Sequence, residues 1–120
     1  MSRILIVDDD SDYTGTLTSL VGGRHEVEVA SNGFSALQKL RSGDFDLILL
    51  DVVMPGLDGP GFVRESRAMR RDIPIILLSS VPETGRIANR LEIYDFLVKP
   101  VPFATLERMI DRLIARDDPA

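Results

Sequence analysis

The chain of 120 residues contains no cysteine. Disulfides and zinc–thiolate centres are therefore excluded, and the cytoplasm is the expected setting. Positive charge is also short: 14 Lys and Arg face 19 Asp and Glu, a formal net charge of -5. A surface of that sign lacks the basic patch that nucleic acid requires, so direct nucleic-acid binding is not expected. No apolar run approaches the ~18 residues of a membrane-spanning helix. The N-terminus enters a strand pattern at once, without a basic segment and a small-residue cleavage site. Internal repeats, linkers and low-complexity tracts are missing too. The length predicts one domain over 1–120, with a core of about 3–115. That is too short for a sensor or DNA-binding domain joined by a linker.

What is present alternates between two patterns. RILIV (Arg3–Val7), EVEVA (Glu26–Ala30), DLILL (Asp46–Leu50), PIILL (Pro74–Leu78) and YDFLV (Tyr94–Val98) read as five strands. The first, third and fourth are continuously aliphatic, as in parallel strands covered on both faces. EVEVA alternates, as does YDFLV in part, which suits strands nearer an edge. Helical stripes fall between them: Tyr13, Leu17, Leu20 and Val21; Phe34, Leu37 and Leu40; Phe62, Val63, Ser66 and Met69; and Phe103, Leu106, Met109, Ile110, Leu113 and Ile114. The segment SSVPETGRIANRLEI has little periodicity, so the fourth helix should be short or mobile. Arg70-Arg71-Asp72 reads as a solvated helix end and ARDDPA as a frayed tail. Five β–α units with short links predict a doubly wound α/β parallel sheet.

Ligands of such sheets bind beyond the carboxyl ends of the strands. Asp8 and Asp9 follow the first strand, Asp51 the third, Ser79 and Ser80 the fourth, and Lys99 the fifth. Carboxylates clustered there repel one another unless a divalent cation neutralises them, and oxygen-only ligands suit Mg²⁺. Asp51 can then act as a nucleophile toward phosphorus, with Lys99 and the Ser79 hydroxyl contacting the transferring group. Simpler roles exist for each residue. Asp10 or Ser11 fits the N-cap of the first helix, and Asp12 a first-turn acid favoured by the helix dipole. Asp51 before VVMPG fits a turn residue ahead of Pro55-Gly56. Ser79 fits a loop hydroxyl, Lys99 a surface lysine, and His25 a surface histidine.

The motifs ILIVDD, LILLDVVMPGLDG, IILLSS and FLVKP, in that order and near the expected spacing, resemble those of response-regulator receiver domains of two-component signalling, from Arg3 to Ala115. The resemblance implies a flavodoxin-like five-stranded sheet of order 2-1-3-4-5 and the following roles. Asp51 is the phosphoacceptor. Asp8 and Asp9 hold Mg²⁺ with Asp51 and the Val53 carbonyl. Lys99 contacts the phosphoryl group, and its bond to Pro100 is often cis. Ser79 and Phe96 form the switch pair. The implied donor is a phosphohistidine on a sensor histidine kinase or histidine phosphotransfer protein. Output is through a downstream protein target, and a homodimer is common in the family. No enzyme activity is expected beyond self-directed phosphotransfer and autodephosphorylation.

Several positions depart from the family pattern. The stretch from Ser79 to Lys99 is about two residues short, and LEI replaces the usual Gly-Ala before the fifth strand. Phe96 lacks the hydroxyl of the commoner Tyr. Val53 offers no polar group near the path of the attacking water, so altered hydrolysis is expected. Gly59-Pro60-Gly61 is an unusual helix start. Three other readings compete. One is an unphosphorylated binding module. Another is an Asp-nucleophile phosphatase, which would want an acid at Val53. The last is a dinucleotide-binding domain, in which the turn DDDSD would replace GxGxxG and repel a pyrophosphate.

Overall fold

The structure is a computed structural model and describes residues 2–54, 56–69 and 72–117. Five strands, β1 (Arg3–Val7), β2 (Glu26–Ala30), β3 (Leu47–Leu50), β4 (Ile75–Ser79) and β5 (Asp95–Val98), form one parallel sheet in the order β2-β1-β3-β4-β5. The helices between them are α1 (Ser11–Val21), α2 (Gly33–Ser42), α3 (Gly59–Ala68), α4 (Thr84–Arg90) and α5 (Phe103–Asp117). This is the expected five-stranded doubly wound, flavodoxin-like sheet.

Alternation along the strands explains why β1, β3 and β4 need apolar residues at every position. Leu5, Val7, Ile48, Leu50 and Leu77 point to one face and pack with Ala36, Leu37 and Leu40 of α2, Phe62 and Val63 of α3 and Ala88 of α4. Ile4, Ile6, Leu47, Leu49, Ile76 and Leu78 point to the other and pack with Leu17, Val21, Leu106, Ile110 and Leu113 of α1 and α5. β2 and β5 form the edges, which accounts for their mixed composition.

Boundaries differ from the sequence reading in particular places. Asp46 precedes β3, where its carboxylate accepts from the Arg3 N–H at 2.8 Å. Tyr94 lies outside β5 and is 87 % exposed. Ser79 is the last residue of β4 rather than the first residue after it. Leu20 and Phe34, expected on core-facing stripes, are exposed. α4 is short, as its weak periodicity predicts. Arg70, Arg71 and the last three residues of ARDDPA lie outside the described residues, so the solvated helix end and the frayed tail are not tested there.

Helix starts decide how the strand ends are presented. The Asp10 carboxylate caps α1 by accepting from Asp12 N and Tyr13 N, so Asp10 and not Ser11 is the cap. Asn32 caps α2 by accepting from Ser35 N at 2.8 Å, and Asp58 caps α3 by accepting from Gly61 N at 2.9 Å. The glycine at the head of α3 has a packing reason. A Cβ on Gly59 would lie 2.7 Å from Asp51 O and 2.8 Å from Val52 Cα. Its absence lets α3 start directly against the segment leaving β3, and Gly59 N donates to Val52 O at 3.0 Å.

Candidate functional site

The β1–β3 register pairs Val7 with Leu50, so the residues that follow, Asp8 and Asp51, emerge side by side. Asp51 N donates to Val7 O at 2.9 Å and Asp8 N to Ala30 O at 3.1 Å, which fixes both backbones at the carboxyl edge. Asp8 is 4 % exposed and Asp51 is 9 % exposed. Asp9 is exposed beside them. One carboxylate oxygen from each of Asp8, Asp9 and Asp51 lies within 4.8 Å of the others.

Lys99 closes this mouth from β5. Its Nζ donates to Asp8 Oδ2 at 2.9 Å, while Asp8 Oδ1 accepts from Asp10 N at 3.0 Å. The Lys99 ammonium also lies 4.1 Å from the centroid of the Tyr13 ring. The Lys99–Pro100 peptide bond is cis. Burial pushes the Asp51 carboxyl above its ordinary value, and the Asp8 charge adds to the rise. Lys99 and hydrogen bonds from the Val53 and Val52 backbones oppose it. Three carboxylates thus face one ammonium, leaving an excess of negative charge that a hard divalent cation fits.

The side chains of the other expected site residues do not join this cluster. Ser79 is buried at the end of β4, and its Oγ accepts from Val81 N at 3.2 Å in a local turn. Its carbonyl accepts from Lys99 N at 2.8 Å, so it touches the site through the backbone. The Val53 side chain is 60 % exposed, and its backbone, not its side chain, serves Asp51. The Phe96 ring is 39 % exposed and lies on α4, where a Cβ on Gly85 would come within 2.9 Å of Cζ. His25, expected on the surface, is half-buried. Its Nδ1 has no hydrogen-bond partner, and burial, then Arg24, lower its pKa.

Sequence reading assigned Tyr13 only to the core stripe of α1. Burial, then the charges of Asp8 and Asp51, raise its pKa, which marks it as a neighbour of the acid mouth. The available signal was its position in the first turn of the helix that follows the acidic run. A surface cleft of about 460 Å³ lies at the opposite end of the sheet between Ser66, Ile73, Glu92 and Leu113. It brings no such convergent set together, so the acid mouth is the candidate chemical site.

Comparisons with known proteins agree with this geometry. A family model described as the response regulator receiver domain matches residues 4–111. The transcriptional regulatory protein ZraR of Escherichia coli is 34 % identical over 115 residues, covering 93 % of this chain. The chain spans about a quarter of that protein's length, 26 %. Among solved structures, the receiver domain of Francisella response regulator 1452 superposes with a TM-score of 0.90 at 25 % identity, covering 98 % of this chain and 100 % of that one. The response regulator TrrA of Thermotoga maritima, in complex with Mg²⁺-BeF, superposes with a TM-score of 0.83 at 33 % identity, covering 94 % of this chain and 99 % of that one. With its acid mouth, its sheet order and these matches, the chain belongs to the response regulator receiver domain family of two-component systems.

Proposed function

We propose that Asp51 accepts a phosphoryl group from a phosphohistidine on a sensor histidine kinase or histidine phosphotransfer protein. The observation that carries this reading is the convergence of Asp8, Asp9 and Asp51 with the Lys99 ammonium at one strand-end mouth. An Asp51 carboxylate oxygen attacks phosphorus, the P–N bond breaks with its electron pair returning to the imidazole, and an acyl phosphate forms. Asp51 reacts as the carboxylate. Burial and Asp8 work against that form, while Lys99 and the Val53 and Val52 backbones favour it.

Asp8, Asp9 and Asp51, with the Val53 carbonyl, would hold Mg²⁺, which would supply positive charge to neutralise the phosphoryl oxygens. Lys99 adds a second cation on the β5 side. The Ser79 hydroxyl accepts from Val81 N–H, which leaves its own proton to donate to a phosphoryl oxygen once the β4–α4 turn moves. That movement, with Phe96 leaving its place on Gly85, is the switch between inactive and active populations. Signalling then proceeds by contact with a downstream protein in the cytoplasm, or with a second copy. Val53 gives an attacking water no polar side chain, and the only chemistry is self-directed transfer and hydrolysis.

The test is incubation of the purified protein with acetyl phosphate and Mg²⁺, read by intact mass. One phosphoryl group is gained, and neither Asp51→Asn nor chelator-treated protein gains it. Absence of the gain from both acetyl phosphate and a phosphohistidine donor sinks the reading and promotes an unphosphorylated interaction module.

A further inference from the structure

Lys99 carries a long, flexible stem, and such side chains lose substantial rotamer freedom when held. Its ammonium nevertheless has a defined place, because two groups hold it. Asp8 accepts its hydrogen bond at 2.9 Å. The Tyr13 ring lies 4.1 Å away, well inside the ~6 Å reach of a cation–π contact. The ring is itself supported, because Tyr13 packs against the core cluster that holds Leu17 and Val21 of α1 and Leu106 and Ile110 of α5. Its hydroxyl is buried and has no hydrogen-bond partner, so the hydroxyl does not explain why an aromatic residue stands there.

We propose that Tyr13 is a positioning residue of the phosphoryl-transfer site, its ring forming the seat that holds the Lys99 ammonium over the acid mouth. This rests on the reading of Asp51 as phosphoacceptor. The two holders of Lys99 differ in kind. Asp8 is also a candidate metal ligand, so its negative charge is shared once a divalent cation is present. An aromatic face attracts an ammonium without ligating a hard cation and without reacting with the phosphoryl group. The ring therefore keeps Lys99 in place when Asp8 is drawn elsewhere. Among the described residues no other aromatic ring makes a cation–π contact with a cation of the site.

The test separates seat from structure with a double-mutant cycle. Tyr13→Leu lowers the rate of phosphorylation by phosphoramidate with saturating Mg²⁺ about 5- to 30-fold, the range equivalent to a cation–π contact on a partly buried ammonium. Tyr13→Phe stays within about 2-fold, because it keeps the ring. In a Lys99→Ala background Tyr13→Leu has no further effect. Tyr13→Met, which fills space without a π face, behaves as Tyr13→Leu and serves if the latter unfolds.

A second readout does not depend on phosphorylation. The Lys99 ε-methylene protons are shifted upfield by the ring current in wild type and Tyr13→Phe, with and without Mg²⁺, and lose that shift in Tyr13→Met. Equal loss of rate in Tyr13→Phe and Tyr13→Leu, an undiminished effect of Tyr13→Leu without Lys99, or absence of the ring-current shift each overturns the proposal. A ring-current shift in a protein that gains no phosphoryl group overturns the functional reading instead, and with it the catalytic part of the seat.

Discussion

Glu92 has φ 57 and is the one non-glycine residue with positive φ among the described residues. It follows Leu91, the C-cap of α4. Ile93 N donates to Ala88 O at 2.9 Å and Glu92 N to Asn89 O at 3.2 Å. These are the two hydrogen bonds of a Schellman ending, in which the residue at Glu92's place is usually Gly. A Cβ in the left-handed region costs about 1–2 kcal/mol. Glycine also loosens the unfolded chain, which returns about 0.4–1 kcal/mol. Glu92→Gly should therefore stabilise the fold by about 0.5–1 kcal/mol, or roughly 2–4 °C for a domain of this size. The Glu92 side chain is exposed, so its removal changes little else. Glu92→Ala is the control, since it keeps the Cβ and should match wild type. Urea unfolding of the three proteins, with a common denaturant slope, measures the difference. Glu92→Gly no more stable than Glu92→Ala would show that the turn carries no backbone strain and refute the reasoning.

Three further variants bear on the site and its switch. Asp51 holds its proton to higher pH in the fold than its ordinary 3.8, because of burial and then Asp8. Ionising it therefore disfavours the fold: stability contributed by the protonated form is present below 3.8 and is lost as pH rises through the raised folded value. Asp51→Asn should be more stable than wild type at pH 7 in chelator, with the advantage gone below pH 3.8, and thermal melts across pH showing the opposite order would refute this. Lys99→Ala removes the partner of buried Asp8 and should cost the metal-free protein about 1–3 kcal/mol. The same variant should bind Mg²⁺ more tightly by calorimetry, since an ammonium no longer competes for Asp8; weaker binding would contradict the competition. Gly85→Ala would put a Cβ 2.9 Å from Phe96 Cζ while gaining up to about 1 kcal/mol of helix propensity. The Phe96 ring should then leave its outward place, read as a changed χ1 population by NMR, and an unchanged population would deny Gly85 that role.

The sheet was legible because burial on both faces demands unbroken aliphatic strands, and β1, β3 and β4 supply them. The acid mouth was legible because parallel strands deliver their next residues to one edge. Other features arise between segments and leave no local sign. Phe34 fits a helical stripe in sequence, yet it is 62 % exposed, standing against Gly56 outside the core. The Tyr13 seat depends on Lys99, which arrives from the far edge of the sheet. Ser79 reads as a loop hydroxyl or a switch residue, and its bond from Val81 N is a local turn that only coordinates reveal. At Glu92 the sequence LEI carries neither Gly nor Asn, so the left-handed turn has no signal in the residues themselves, only in the Gly-Ala that the family usually places there.

The Lys99–Asp8 ion pair joins residues 91 positions apart. During synthesis the acidic strand end of β1 is therefore made long before the cation that balances it. Contacts of such separation form late, after the loops between them have been closed. A chain that has made only β1, β2 and β3 lacks the Lys99 ammonium, so the carboxylates of Asp8, Asp9 and Asp51 stand there without that counter-charge. Completion of the acid mouth as a site of mixed charge is thus tied to arrival of β5, the last strand to be made.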